Sequence, residues 1–257
     1  LKDAAAASAW GARSANGVIV ITTKKGKLNS APKVSFNSSV NIAQKPDLYA
    51  VPQLSSAQFI EVQQLLFDRG AYNTTINNGF AALAPAVEIM LARRNGTITE
   101  AQKQQQLDVL RSYDAREQLL VYNYRKAMQQ QYQTSVAGGT KTQKYFVSVG
   151  YNNNLNSVVN GSYQRLTLNA SNTYYFLDNK LELMSNIIYT GSKSKTGPSL
   201  SAVYPYSKFA DMEGNPLVEA RDLRPSYAST AGNGKLLPWL YRPLDEVRNG
   251  YGATTSE

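Results

Sequence analysis

The chain has 257 residues, long enough to enclose a sizeable core, with a formal net charge of +9 from 27 basic against 18 acidic side chains and with neither cysteine nor histidine. The missing cysteines exclude disulfides and thiolate metal sites, and the missing histidines remove the commonest general base and metal ligand, so neither catalysis nor a metal or other cofactor is expected. A mean hydropathy of -0.38, with no apolar run of membrane-helix length, excludes a helical bundle in lipid but not a β-barrel, whose strands turn only every second residue outward.

The first segment begins at Asp3, a plausible N-cap, and continues through alanines to Trp10. Gly11 suits a left-handed position just past a helix end, so a short helix is expected to stop at Trp10. Asn16-Gly17 tolerates positive φ, and Val18 to Thr23 form an apolar run without alternation, as in a strand covered on both faces. By itself this αβ unit suits any α/β scaffold. The spacing of Gly11, Arg13, Asn16, Gly17, Lys24, Lys25 and Gly26 resembles the close of the plug domain in SusC/RagA-type TonB-dependent receptors, with Trp10 standing where tyrosine is commoner. Beginning inside that motif without an initiator methionine, the chain is expected to be a piece of a longer protein.

Residues 33–42 alternate, with Val34, Phe36, Val40 and Ile42 on one side and Ser35, Asn37, Ser39 and Asn41 on the other. That length suits one membrane crossing by a tilted strand. Residues 43–130 read instead as a helical insertion. Ser55 and Gln58 form a capping box ahead of a stripe of Phe59, Val62, Leu65 and Leu66 that ends at Gly70. Pro85 fits a first helical turn before Val87, Met90 and Leu91, with Asn95-Gly96 as the stop. Thr99 with Gln102 opens a third helix through Leu107 and Leu110.

Alternation returns near residues 131–137, 144–152, 163–176 and 180–190. Strand ends rich in tyrosine fit the aromatic girdles of membrane barrels, although a soluble sandwich also alternates. Short links at 138–143 and 177–179 alternate with long ones at 43–130, 153–162 and from 192 onward, the parity of a barrel with short periplasmic turns and long outer loops. The run Tyr132 to Tyr151, with Gly138-Gly139 at its turn, followed by Gly161, Tyr163, Arg165 and Asn169, resembles an early barrel hairpin of the same receptors. A weaker echo runs from Tyr204 through Asp211 to Gly214-Asn215-Pro216. Gly138 to Thr142 lacks phosphate-loop spacing and reads as a turn. Asp211 with Glu213, and Asp245 with Glu246, read as solvated loop charge rather than paired glycosidase acids.

The resemblance implies a mainly β fold: a partial transmembrane antiparallel β-barrel of about 22 strands when complete, preceded by the C-terminal αβ piece of a plug domain and carrying a helical extracellular loop insertion. On that reading residues 1–31 close the plug and residues 32–257 begin the barrel, with 192–257 as a long outer loop. It also implies an outer-membrane location in a Bacteroidetes-like bacterium and active import of glycan or peptide nutrients. The implied partners are a SusD-like lipoprotein, outer-membrane lipid and the TonB–ExbB–ExbD complex, the last through a segment upstream of Leu1. Gly11, Arg13, Asn16 and Gly17 are then structural plug residues, Arg13 making a buried contact. Tyr204, Tyr206, Trp239 and Tyr241 lie in the final long segment, where they either pack within the loop, the favoured reading, or present flat aromatic faces that stack on sugars or apolar groups while Arg242 or Asp245 bonds hydroxyls. The positive charge would attract anions, but the lysines are scattered and no nucleic-acid-binding pattern accompanies them, so no nucleic acid partner is expected. The rival readings are a surface β-rich binding module of adhesin type and, less favoured, a glycan hydrolase.

Overall fold

The computed structural model describes residues 24–233, 235–250 and 252–256. The expected helix through Trp10, the strand at 18–23 and the motif residues Gly11, Arg13, Asn16 and Gly17 lie outside the described residues.

The chain enters strand β1 at Ser30–Ala43. Five helices follow: α1 at Ser56–Asp68, α2 at Asn73–Asn77, α3 at Pro85–Arg94, α4 at Glu100–Arg111 and α5 at Ala115–Tyr122. Strands β2 (Ala127–Gly139), β3 (Gln143–Leu155), β4 (Ser162–Phe176) and β5 (Leu181–Thr196) come next. Helices α6 (Pro225–Thr230) and α7 (Pro243–Asn249) precede a short β6 at Ala253–Ser256. All six strands form one sheet in chain order; short links join β2 to β3 and β4 to β5, as antiparallel neighbours allow, and β6 pairs antiparallel with β5. The strands run longer than alternation alone suggested, and α2, α5, α6, α7 and β6 carry no signal read from the sequence. Among the described residues no helix is long and apolar enough to cross a membrane.

Two compact units divide the described chain. The first holds residues 24–37, 132–151 and 166–190, which are the strand portions around the short turns. Its turn geometry explains the paired glycines. A Cβ on Gly139 would collide with the carbonyl oxygens of Lys27 and Gln143, and one on Gly26 with those of Tyr145 and Gly138, so three backbones approach where no side chain fits. Thr140 N donates to Gln143 O at 2.7 Å and Asn29 N to Thr140 O at 2.9 Å. In the other turn Leu177, Asp178 and Asn179 all take positive φ, at 52°, 54° and 67°, a conformation that Asp and Asn tolerate best.

Gln143 and Asn172 bond across β3 and β4 at 3.2 Å, which places them on one face together with Val147, Val149, Leu166 and Leu168. These four are exposed, as are Val34 and Phe36 at 67% and 65%. They do not meet across two layers, since no second sheet is present among the described residues. On β5 the expected Leu181, Leu183, Ile187 and Tyr189 are exposed, and so are Met184 and Ile188 of the opposite parity.

The second unit holds the described residues of 38–131, 152–165 and 191–256. Both capping boxes form: Ser55 with Gln58 ahead of α1 and Thr99 with Gln102 ahead of α4. Pro85 takes the first turn of α3, Asn95 caps it, and Gly96 follows at φ 74°. The stripe expected on α1 is corrected. Val62, Leu65 and Leu66 are exposed, whereas Ser56, Ile60 and Gln63 are buried and Phe59 is partly covered. Ile60 packs with Ala86, Met90 and Leu107, and with Tyr206 from the segment after β5. A second cluster gathers Leu83, Ala84, Val87 and Leu91, and a third Leu200, Phe209, Ala210, Leu244 and Val247. Full burial of side chains this size contributes roughly 1.5–3 kcal/mol each, so this unit carries a core of its own.

Candidate functional site

The segment after β5 folds back on itself through local bonds. Ser207 N donates to Tyr204 O and Tyr204 N to Ser207 Oγ, both at 3.0 Å. This closed turn sets Tyr204 parallel to Tyr206, ring centroids 5.3 Å apart at 10°, while Phe59 tilts against both. Tyr206 is 2% exposed and its hydroxyl donates to Gln63 Oε1 at 2.8 Å. Burial pushes that hydroxyl well above the ordinary phenol range. Tyr206, one of the candidate aromatics, packs in the core here, and the half-buried Tyr204 is the more exposed member of the pair.

A cavity of about 510 Å³ is lined by Leu110, Tyr113, Tyr204, Tyr206, Lys208 and Glu219 among others. Lys208 Nζ lies 4.9 Å from the centroid of the Tyr113 ring, a cation–π arrangement that keeps the ammonium on the aromatic wall. A second cavity of about 390 Å³ is lined by Trp239, Tyr241, Arg221, Glu246 and again Glu219. Trp239 is 53% exposed. Tyr241 has one face covered by the Arg221 guanidinium at 3.7 Å, and Arg221 also pairs with Asp222 at 2.6 Å. The four aromatic candidates thus fall into two pairs beside two cavities rather than one cluster. Arg242 and Asp245 line neither cavity; they lie at the start of α7.

Glu219, with its neighbour Val218, lines both cavities. It is 8% exposed, and its backbone N–H donates to Tyr241 O at 2.9 Å. Oε1 accepts a short hydrogen bond from Ser207 Oγ and a longer one from Val203 N at 3.4 Å. Oε2 is buried without a hydrogen-bond partner. Removal from water raises the carboxyl pKa above its usual value, opposed by the Ser207 and Val203 bonds and by the charge of Arg221. Sequence reasoning passed over this residue. The available signal was a carboxylate set between Leu217, Val218 and Ala220, an apolar setting that is unusual for a surface acid.

The nearby acids do other work. Asp211 accepts from Asn215 N at 2.7 Å and from Asn215 Nδ2 at 2.8 Å, and these bonds lower its pKa; it holds a turn. No group of three or more acids able to hold a metal ion occurs among the described residues.

No family model matches the chain. It is 26% identical over 209 residues to the TonB-dependent receptor SusC of Bacteroides thetaiotaomicron, covering 79% of this chain and 16% of that protein. It is 29% identical over 171 residues to the TonB-dependent receptor P39 of Formosa agariphila, covering 66% of this chain and 13% of that protein. Among solved structures it is similar to the RagAB peptide transporter, with a TM-score of 0.49 and 20% identity over 88% of this chain and 24% of that one. The chain therefore spans about a sixth or less of the length of the curated relatives it matches. Both curated relatives are named as receptors rather than enzymes, and they bear out the resemblance to SusC/RagA-type TonB-dependent receptors carried by the sequence motifs.

Proposed function

We propose that the chain is part of an outer-membrane, TonB-dependent transporter that imports oligosaccharide or peptide nutrients together with a SusD-like surface lipoprotein. In this reading residues 1–31 close the plug, with Gly11, Arg13, Asn16 and Gly17 shaping its end and Arg13 held in a buried contact. Residues 32–257 begin the barrel wall, and the helices between β1 and β2 and the segment after β5 stand outside the cell. Import energy comes from the TonB–ExbB–ExbD complex acting elsewhere on the receptor. Tyr204, Trp239 and Tyr241 face the incoming ligand from the outer loops, and Tyr206 holds Tyr204 in place.

One observation carries the reading. The alternating apolar positions of a single sheet stay uncovered, as they would where acyl chains rather than a second protein layer meet the wall, and the curated relatives are receptors. The test is to express the full-length protein, fractionate the membranes and delete its gene. The expected result is a detergent-requiring outer-membrane protein whose loss slows growth on an oligosaccharide or peptide source, with the same defect on loss of TonB. Recovery of the full-length protein in the soluble fraction without detergent would favour the adhesin-like reading instead.

A further inference from the structure

Glu219 poses a physical problem that the fold does not solve. Its carboxyl group is more than nine-tenths buried, Oε2 has no hydrogen-bond partner, and Glu219 takes part in no ion pair among the described residues. Arg221 acts on it only through its charge, being paired with Asp222 and set over the Tyr241 ring, and Lys208, in the same cavity lining, lies over the Tyr113 ring without forming an ion pair to Glu219. A buried carboxylate without a cation is costly, whereas one matched by a cation that also donates hydrogen bonds is tolerated.

The adjoining cavity supplies the rest of a cation receptor. Tyr113 and Tyr204 offer aromatic rings beside the carboxylate, and about 510 Å³ leaves room for a small organic group. Aromatic rings flanking an acid form a setting in which organic ammonium ions bind through charge and the ring quadrupole together. A neutral sugar hydroxyl can bond Oε2 but brings no positive charge to it. Burial, and after it the charge of Glu219, pushes the Tyr204 hydroxyl above the ordinary phenol range.

We infer that this cavity binds a primary ammonium group, with Glu219 accepting its hydrogen bonds and Tyr113 and Tyr204 flanking its carbon skeleton. The inference deepens the proposed function, since it rests on this loop region facing the ligand. It names the recognised chemistry as an amine, whether from a peptide amino terminus or from an amino sugar.

The experiment uses the purified full-length receptor at pH 6.5, titrated by calorimetry with phenylalaninamide and with glucosamine, each beside its N-acetyl counterpart. The expected result is binding of one amine at least tenfold tighter than its acetylated form, and the amine that shows it identifies the source. Glu219→Gln is expected to abolish that preference. Should Glu219→Gln fail to fold, Leu217→Trp, which fills the same cavity, is expected to abolish it instead. Equal affinity for amine and acetylated probe, or an amine preference that survives these substitutions, would overturn the inference. Neither readout requires import, so failure here is distinguishable from failure of the transporter reading.

Discussion

The strand portions around the short turns and the loop-bearing remainder of the chain solve the problem of apolar surface in opposite ways. In the first, Val34, Phe36, Val147 and Leu168 are exposed, and Phe146 is the rare large side chain that is buried. In the second, three separate clusters enclose Ile60, Met90, Leu107, Phe209 and Leu244. One region leaves its apolar side chains exposed, and the other makes its own interior. The same chain therefore follows two burial rules, and mutations should separate them.

The largest effect is expected in the loop region. Phe209→Ala removes a fully buried ring and should cost about 3–5 kcal/mol, read in the full-length receptor as accelerated hydrogen exchange across residues 200–210. In the sheet, Leu168→Arg should cost about 2–4 kcal/mol if that face meets the bilayer midplane, measured by denaturant unfolding from phospholipid vesicles. Thr167→Arg, on the opposite face, should cost far less. Equal costs for the two arginines would dissolve the contrast between the regions.

Smaller effects sharpen it. Tyr206→Phe leaves the buried Gln63 Oε1 without its donor and should cost about 1–3 kcal/mol, visible as faster exchange in α1. Ser55→Ala or Thr99→Ala removes one capping box at about 1 kcal/mol, checked by proteolysis rates at the helix start. The smallest effect is a pH dependence. The folded pKa of Glu219 is raised by burial, so the folded loop retains a proton that the unfolded chain has already lost. Its contribution is fully present below the unfolded value and is lost as pH rises through the folded one. Exchange protection near residues 203–209 should therefore fall as pH rises through that window, and Glu219→Gln should flatten the response.

Much of the architecture was legible because its causes are local. Capping boxes lie within four residues, Pro85 and Gly96 act on their own φ, and strand alternation needs only the pleat. The orientation of α1 was not legible. Its stripe of Val62, Leu65 and Leu66 is apolar, but the buried side is set by Tyr206, 143 residues away from Gln63. The aromatic candidates were found by composition, yet their division between two cavities, and the presence of Glu219 beside both, depend on how the segment after β5 folds back.

By itself the sequence determined that this protein alternates like a membrane wall, where α1, α3 and α4 begin, and which receptors it resembles, since these follow from the order of neighbouring residues. The tertiary structure alone decided which face of a helix is dry and which acid is left without a partner. Burial is a property of what arrives from elsewhere in the chain, and no local pattern carries it.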